Sequence, residues 1–355
     1  MELKASTLKE GKRFSVAYHP DGDGYGAVNI FMNHLPDATF RLYSVDNAKR
    51  DFTQKQFDAI LQDIKEDFWV VYLDLSPSNP VQLEELCQKT KFFYIDHHQI
   101  HPDFEKLFDK VQAHNPRIYD TENANAYAAG LQVYHLFDNH QADLPYLFVS
   151  LFGDAKFSHW PEFKDQLSAQ QDKLAKMADA ISYVGLTQQV GPYAPERTDA
   201  LFNEVIEKTR AAYEQTQGSQ EEKTDALLAA FEQTKIYQQY QVLSQKIQVG
   251  YQVVKEQIEK QNRLIEISDD QYMLSAILLK EAYKELDFEG PYIIYQVDEL
   301  SNKVLYAAMA KNSDYDCAGT IRQSPYLAGG GHTDRAGATG PAEQLKQALE
   351  FFDVQ

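Results

Sequence analysis

The segment His19-Pro20-Asp21-Gly22-Asp23-Gly24 places one imidazole and two carboxylates close together on the chain. Three more acids each follow an apolar stretch: Asp74 after Val70-Val71-Tyr72-Leu73, Asp96 after Phe92-Phe93-Tyr94-Ile95, and Asp154 after the run Leu147 to Phe152 and Gly153. Asp96 is followed directly by His97-His98. Singly, such an Asp is a turn former or a helix N-cap, and Asp-Gly is ordinary turn chemistry. Together, carboxylate oxygens and imidazole nitrogens are the donors that Mn²⁺, Mg²⁺ and similar ions take. Several carboxylates gathered in one crevice repel one another unless a cation sits among them. A pair of cations about 3.5–4 Å apart would use this many ligands, one carboxylate bridging, and would activate water for an in-line displacement at phosphorus.

A second group lies near the carboxyl end. Gly329-Gly330-Gly331-His332 precedes Thr333-Asp334-Arg335-Ala336-Gly337. Side-chain-free backbone lets N–H groups approach an anion closely, so this stretch is expected to be a glycine loop. His332 and Arg335 add donors for phosphate oxygens, and Lys311, Asn312 and Arg322 lie upstream as further anion contacts.

The elements that must position these residues alternate. Phe14–Tyr18, Phe40–Val45, Val70–Leu73 and Phe92–Ile95 read as strands, with helix-like stretches at Thr53–Glu66 and Pro80–Lys89 between them. This pattern predicts βαβ units and a mostly parallel sheet, whose ligands bind beyond the carboxyl ends of the strands. Residues 198–262 are rich in Gln, Glu, Lys and Ala, and Ile236, Tyr240, Leu243, Ile247, Tyr251, Val254 and Ile258 form an apolar stripe at helical period. Gly218-Ser219 is expected to break this segment into two helices. Strand and helix patterning returns after that, with Leu264–Ile267, Tyr292–Tyr295 and Val304–Ala310 as strands and Met273–Leu286 as a helix.

Length and charge bound the rest. The chain has 355 residues, enough for about two domains, with 34 basic against 53 acidic residues and a formal net charge of −19. A protein that wraps long duplex nucleic acid through its phosphates is normally basic, so that class is excluded, while a small anion remains possible with a metal or local cations to neutralise it. Two cysteines exclude a disulfide framework and a cysteine zinc cluster. No apolar run approaches the roughly 18 residues of a membrane span, and a cytoplasmic protein is expected.

Asp96-His97-His98, taken with His19-Pro20-Asp21-Gly22-Asp23, Asp74 and Asp154, resembles the DHH phosphoesterase superfamily. Gly329–His332 with Ala336-Gly337 resembles the GGGH signature of its DHHA1 carboxy-terminal domain, and the likeness runs from about Ser15 to Ala338. Lys311 stands where many members carry the arginine of a Leu-Arg-Ser motif. The resemblance implies an α/β architecture: a mostly parallel-sheet DHH catalytic domain over residues 1–190, a helical connector over 191–262, and a smaller α/β DHHA1 substrate-binding domain over 263–355. It implies two divalent cations, Mn²⁺ first, with Mg²⁺ or Co²⁺ as alternatives. His19 and Asp21 would bind one cation, Asp23, His97 and Asp154 the other, and Asp74 would bridge them. Asp96 would orient His97, His98 would face the substrate phosphate, and Gly329, Gly330, Gly331, His332, Arg335, Lys311 and Asn312 would hold substrate.

The expected function is metal-dependent hydrolysis of a phosphodiester or phosphomonoester in a short oligonucleotide or small nucleotide, as in the nanoRNase or oligoribonuclease type. No membrane or long duplex partner is expected, and a homodimer is possible. A non-catalytic nucleotide-binding regulatory module and a pyrophosphate or polyphosphate hydrolase are the alternatives.

Overall fold

A computed structural model describes the chain except for residues 1–2, 46–51, 76–78, 101, 108, 189–193, 269–273, 299–301, 332 and 354–355. It falls into two compact units, one reaching Tyr240 and the other beginning at Gln241.

The first unit is built on five strands: β1 Arg13–Tyr18, β2 Thr39–Ser44, β3 Trp69–Leu73, β4 Phe92–Ile95 and β5 Gln112–His114. They form one sheet in the order β2-β1-β3-β4-β5, and every neighbouring pair is parallel. The central strands are short apolar runs because helices cover both faces of such a sheet; β4 is buried at every position and β3 at all but Trp69. The intervening helices begin where local chemistry starts them. Thr53 and Gln56 form a capping box ahead of Gln54–Lys65, and Asn79 caps Pro80–Lys89, which opens on its proline. In this strand order the chain crosses over in opposite directions from β1 and β3, which leaves a crevice beyond their carboxyl ends.

Helices Pro195–Gln215 and Gln220–Phe231, from the stretch read as a connector, pack on this same unit. The Tyr25 and Thr209 hydroxyls are hydrogen-bonded at 2.7 Å, and Arg210 donates to the Asn29 carbonyl at 3.1 Å. Ser219 caps the second of these helices, at the break expected from Gly218-Ser219, and another break precedes Lys235–Glu259. In that last helix Ile236, Leu243, Ile247, Val254 and Ile258 of the apolar stripe are buried.

The second unit holds β6 Leu264–Glu266, β7 Gly290–Asp298, β8 Lys303–Lys311, β9 Ala328–Gly331 and β10 Arg335–Pro341. The sheet order is β6-β7-β8-β10-β9; β6 runs parallel to β7 and the other pairs are antiparallel. Ile293, Tyr306, Ala308, Cys317, Ile321 and Phe352 lie in one core cluster on it. The expected glycine loop is instead an edge strand. Its backbone lies so close to β10 that a Cβ on Gly329 would stand 2.1 Å from the Gly337 carbonyl oxygen, so glycine is what permits the pairing. Among the described residues no helix is long and apolar enough to cross a membrane.

Candidate metal centre

Every proposed ligand lies at or near an end of an element of the first unit. β1 ends at Tyr18, and the chain turns through His19-Pro20 into the helix Gly22–Asn33. Asp21 is the N-cap of that helix, accepting from Gly24 N at 2.9 Å, and Asp23 sits in its first turn. Negative charge is favoured at that end of a helix. Gly24 is required there, since a Cβ would stand 2.0 Å from the His19 carbonyl oxygen. Asp74 follows β3 with a φ of 57°, a left-handed conformation that Asp adopts at some cost. Asp96 and His97 follow β4. Asp154 follows not a strand but the helix Leu144–Gly153, whose apolar run is buried on all sides except at Phe152.

These residues converge in two groups that a third set links. His19, Asp21 and Asp74 form one, and Asp23, His97 and Asp154 the other; Asp74 also clusters with Asp96, His97 and His98. His19 Nδ1 lies 2.8 Å from Asp21 Oδ2 and 3.5 Å from Asp74 Oδ2. His97 Nε2 lies 3.4 Å from Asp23 Oδ2, 3.3 Å from Asp74 Oδ1 and 3.2 Å from Asp154 Oδ2. Asp74 therefore presents one oxygen to each group.

Hydrogen bonding separates the candidate ligands from their supports. Both Asp74 carboxylate oxygens and His97 Nε2 are buried without a hydrogen-bond partner. Buried polar atoms are rarely left so, and three carboxylates around one imidazole nitrogen suit a divalent cation in oxygen and nitrogen coordination. Asp23 is held from outside the cluster: Ala129 N donates to Oδ2 at 2.7 Å, while Gly130 N and the Ser150 hydroxyl donate to Oδ1 at 2.9 and 2.6 Å.

The charges agree. Burial, then the Asp21 and Asp154 carboxylates, push the Asp74 carboxyl well above the usual range, and burial, then Asp74, Asp154 and Asp21, do the same to Asp23. Burial opposes the charge of Asp21 and Asp154 too, but His19 outweighs it at the first and His97 with Lys156 at the second, so both are held low. Burial lowers the His19 imidazole, yet Asp21 and Asp74 overcome it and raise the group to about 10. A site with this much competing negative charge is one that lacks positive charge.

Asp96 differs from expectation. Its partner is His98, whose Nδ1 lies 2.8 Å from Asp96 Oδ1, while the Tyr94 hydroxyl donates to Oδ2 at 2.6 Å. Burial opposes the Asp96 charge, but His98, His97 and Tyr94 together hold the carboxyl below its usual range. Asn115 ties this group down, donating to the Tyr94 hydroxyl and to the His98 carbonyl, both at 3.1 Å. Arg117 donates to the His97 carbonyl at 3.3 Å. Sequence reasoning does not pick out Ser150, Tyr94, Asn115 or Arg117. Tyr94, Asp96 and His98 are spaced by two, the period of one face of extended chain, and that spacing is the signal for their contact.

The second unit's candidates are placed separately. Lys311 Nζ donates to the Leu286 carbonyl at 2.7 Å and stands 5.2 and 5.5 Å from the ring centres of Tyr283 and Phe288. Asn312 donates to the Phe288 carbonyl at 3.4 Å. The Arg335 guanidinium covers the Tyr283 ring at 4.6 Å, and the Tyr283 hydroxyl donates to Asp334 at 2.7 Å. Gly329, Gly330 and Gly331 form β9. His332 lies outside the described residues.

No family model and no curated protein matches the sequence. Solved structures do. The chain is similar to a DHH-domain protein described as a member of the s1p family of ribosomal proteins, with a TM-score of 0.68 and 14% identity over 98% of this chain and 87% of that one. It is similar to RecJ from Thermus thermophilus in complex with Mn²⁺, with a TM-score of 0.59 and 14% identity over 98% of this chain, which spans 52% of that one. A structure of exonuclease RecJ bound to manganese matches with a TM-score of 0.55 and 14% identity, over 98% of this chain and 92% of that one. The chain therefore shares the fold of this DHH-domain protein and of RecJ.

Proposed function

We propose that the protein is a metal-dependent phosphohydrolase that acts on short oligonucleotides or small nucleotides. The observation that carries this reading is Asp74, whose two buried oxygens have no hydrogen-bond donor and face His19 on one side and His97 on the other. His19 and Asp21 would hold one cation and Asp23, His97 and Asp154 the other, with Asp74 shared. Divalent cations bound there would supply Lewis acidity and activate water near neutral pH. Mn²⁺ is the first choice, with Mg²⁺ or Co²⁺ as substitutes.

The remaining chemistry falls to this chain's own side chains. With Nδ1 donating to the Asp96 carboxylate, Nε2 is the basic nitrogen of His98, and Tyr94 fixes the carboxylate that sets this tautomer. His98 is thereby suited to meet a phosphate oxygen or exchange a proton with it. In the second unit Gly330 leaves backbone bare: no atom lies within 4 Å of where its Cβ would be. We assign that surface, as a DHHA1 domain, to the phosphate or sugar of the substrate, together with His332 and Arg335.

The test is a hydrolysis screen with Mn²⁺, Mg²⁺ and Co²⁺ over bis(p-nitrophenyl) phosphate, dinucleotides, short RNA and DNA, cyclic dinucleotides and pyrophosphate. Turnover of diesters that is abolished by chelation and in Asp74→Asn is expected. Tight Mn²⁺ and nucleotide binding without turnover of any substrate would instead identify a regulatory binding module. Preference for pyrophosphate would move the protein to the alternative hydrolase class.

A further inference from the structure

Arg335 opens strand β10 opposite Met309, and Lys311 lies two residues beyond Met309 on β8, so both cations rise from one face of the sheet. Gly337 is on that face too, paired with Gly330. This part of the face is bare: within 4 Å a Cβ on Gly337 would meet only the Tyr306 carbonyl oxygen, at 3.9 Å, and one on Gly330 would meet nothing. The Arg335 guanidinium, rising two residues away, is fixed in place. It stands 4.6 Å from the ring centre of Tyr283, on the helix Ser275–Glu285, and Lys311 Nζ stands 5.2 Å from the same centre.

Arginine carries five N–H donors in a rigid planar fork. Among the described residues none accepts a hydrogen bond from this one. Its Nε is buried without a partner, and the one ion pair it makes is a long one, 3.5 Å from Nε to Asp334 Oδ2. That oxygen is already engaged, because the Tyr283 hydroxyl donates to it at 2.7 Å. One tyrosine thus acts on the arginine twice. Its ring lies against the guanidinium, a cation–π contact that steadies the fork. Its hydroxyl occupies the carboxylate that would otherwise pair closely with the fork and neutralise it. An oriented guanidinium with its donors unused is matched to the oxygens of a phosphate.

We propose that Tyr283 is a positioning residue that presents Arg335 to a substrate phosphate, its ring carrying the guanidinium and its hydroxyl keeping Asp334 from pairing with it. The inference rests on the reading of this unit as the one that binds substrate, so its test reads binding with metal removed. The full chain in chelator is titrated calorimetrically with adenosine 5′-monophosphate (AMP) and with adenosine. Wild type should bind AMP at least tenfold more tightly than adenosine, and Arg335→Met should lose that preference. Tyr283→Phe keeps the ring and the packing but releases Asp334, and should lower AMP affinity at least fivefold with adenosine affinity unchanged. Adding Asp334→Asn to Tyr283→Phe should restore AMP affinity to within about twofold of wild type, a larger gain than the same change gives in the wild-type background, because the two side chains act on one another. Tyr283→Leu, which lacks the ring, should not be restored. Equal binding of AMP and adenosine by wild type would overturn the proposal. So would full AMP affinity in Tyr283→Phe, or a loss there that Asp334→Asn fails to reverse, which would make the tyrosine a packing residue only. A wild type that hydrolyses diesters beside an unaffected Tyr283→Phe removes the tyrosine and keeps the hydrolase. A wild type that hydrolyses nothing, yet shows the loss and its reversal, does the opposite.

Discussion

Asp74 Oδ1 lies 3.3 Å from His97 Nε2, and neither atom has a hydrogen-bond partner in the protein. Two such atoms facing each other in a buried place are a destabilising arrangement that a cation relieves. Asp74→Asn is therefore expected to act in opposite directions on stability and activity. Without metal, removing a buried carboxylate that Asp21 and Asp154 repel should stabilise the fold by about 1–3 kcal/mol. Mn²⁺ at a hundredfold excess over its dissociation constant should stabilise wild type by about 2.7 kcal/mol and the variant far less. Activity should fall by at least about a hundredfold. Thermal melts with and without Mn²⁺ check this; an equal metal-induced shift in both proteins would remove Asp74 from the centre.

The support behind His98 is testable apart from the ligands. Tyr94→Phe deletes the hydroxyl that donates to Asp96 Oδ2 at 2.6 Å and leaves a buried carboxylate oxygen short of a donor. A loss of about 1–3 kcal/mol of stability is expected. Because Asp96 sets the His98 tautomer, kcat should also fall about 10–100-fold with Mn²⁺ stoichiometry intact. Denaturant unfolding and steady-state kinetics read the two effects. A stable variant with full kcat would mean that Asp96 needs no such fixing.

That Asp74 and Asp96 converge is legible in the sequence because side chains that meet in the crevice of a parallel sheet stand at strand ends, and the apolar runs before these two residues mark those ends. The pairing of Asp96 is not. Adjacency suggests His97, but neighbouring residues of extended chain point to opposite sides, so His97 turns toward Asp23, Asp74 and Asp154 while His98 meets Asp96. Strand β9 is hidden for another reason. Glycine has little intrinsic preference for a strand, and only the closeness of Ala338 and Gly337 on β10 makes Ala328–Gly331 one. Ser150, separated from Asp23 by more than a hundred residues, reaches it only through helix packing, which sequence spacing does not reveal.

A pH dependence separate from the metal centre follows from Asp199. Burial pushes its carboxyl from an ordinary 3.8 up to about 6, although Ser44 N donates to it at 2.6 Å. A raised carboxyl favours the folded state fully below its unfolded value and loses that advantage as pH rises to the folded value. Wild type should thus lose about 1–3 kcal/mol between pH 4 and 6 through this group. Asn lacks the charge but retains an oxygen to accept from Ser44 N. Asp199→Asn should be the more stable protein at pH 7.5 and no more stable at pH 4. Urea unfolding at the two values decides, and a constant difference would show that Asp199 is not the titrating group.

Ser150 gives the cleanest separation of holding a ligand from being one. Its hydroxyl shares Asp23 Oδ1 with Gly130 N, while Ala129 N and His97 Nε2 face Oδ2. In Ser150→Ala the two backbone donors remain, so Asp23 stays in place, but Oδ1 loses one of its two donors and is held less firmly. A carboxylate held less firmly spends less of its time in the orientation that a cation needs. Mn²⁺ affinity at the Asp23, His97 and Asp154 group should drop about 10–100-fold, the range for loss of a group behind a metal ligand. The His19 and Asp21 group does not touch Ser150 and should keep its affinity. Calorimetric Mn²⁺ titration should then resolve one weakened and one unchanged event, and saturating Mn²⁺ should restore most of the turnover. If both events weakened together, the two groups would have to be one coupled site, with Asp74 too tightly shared for either to load alone.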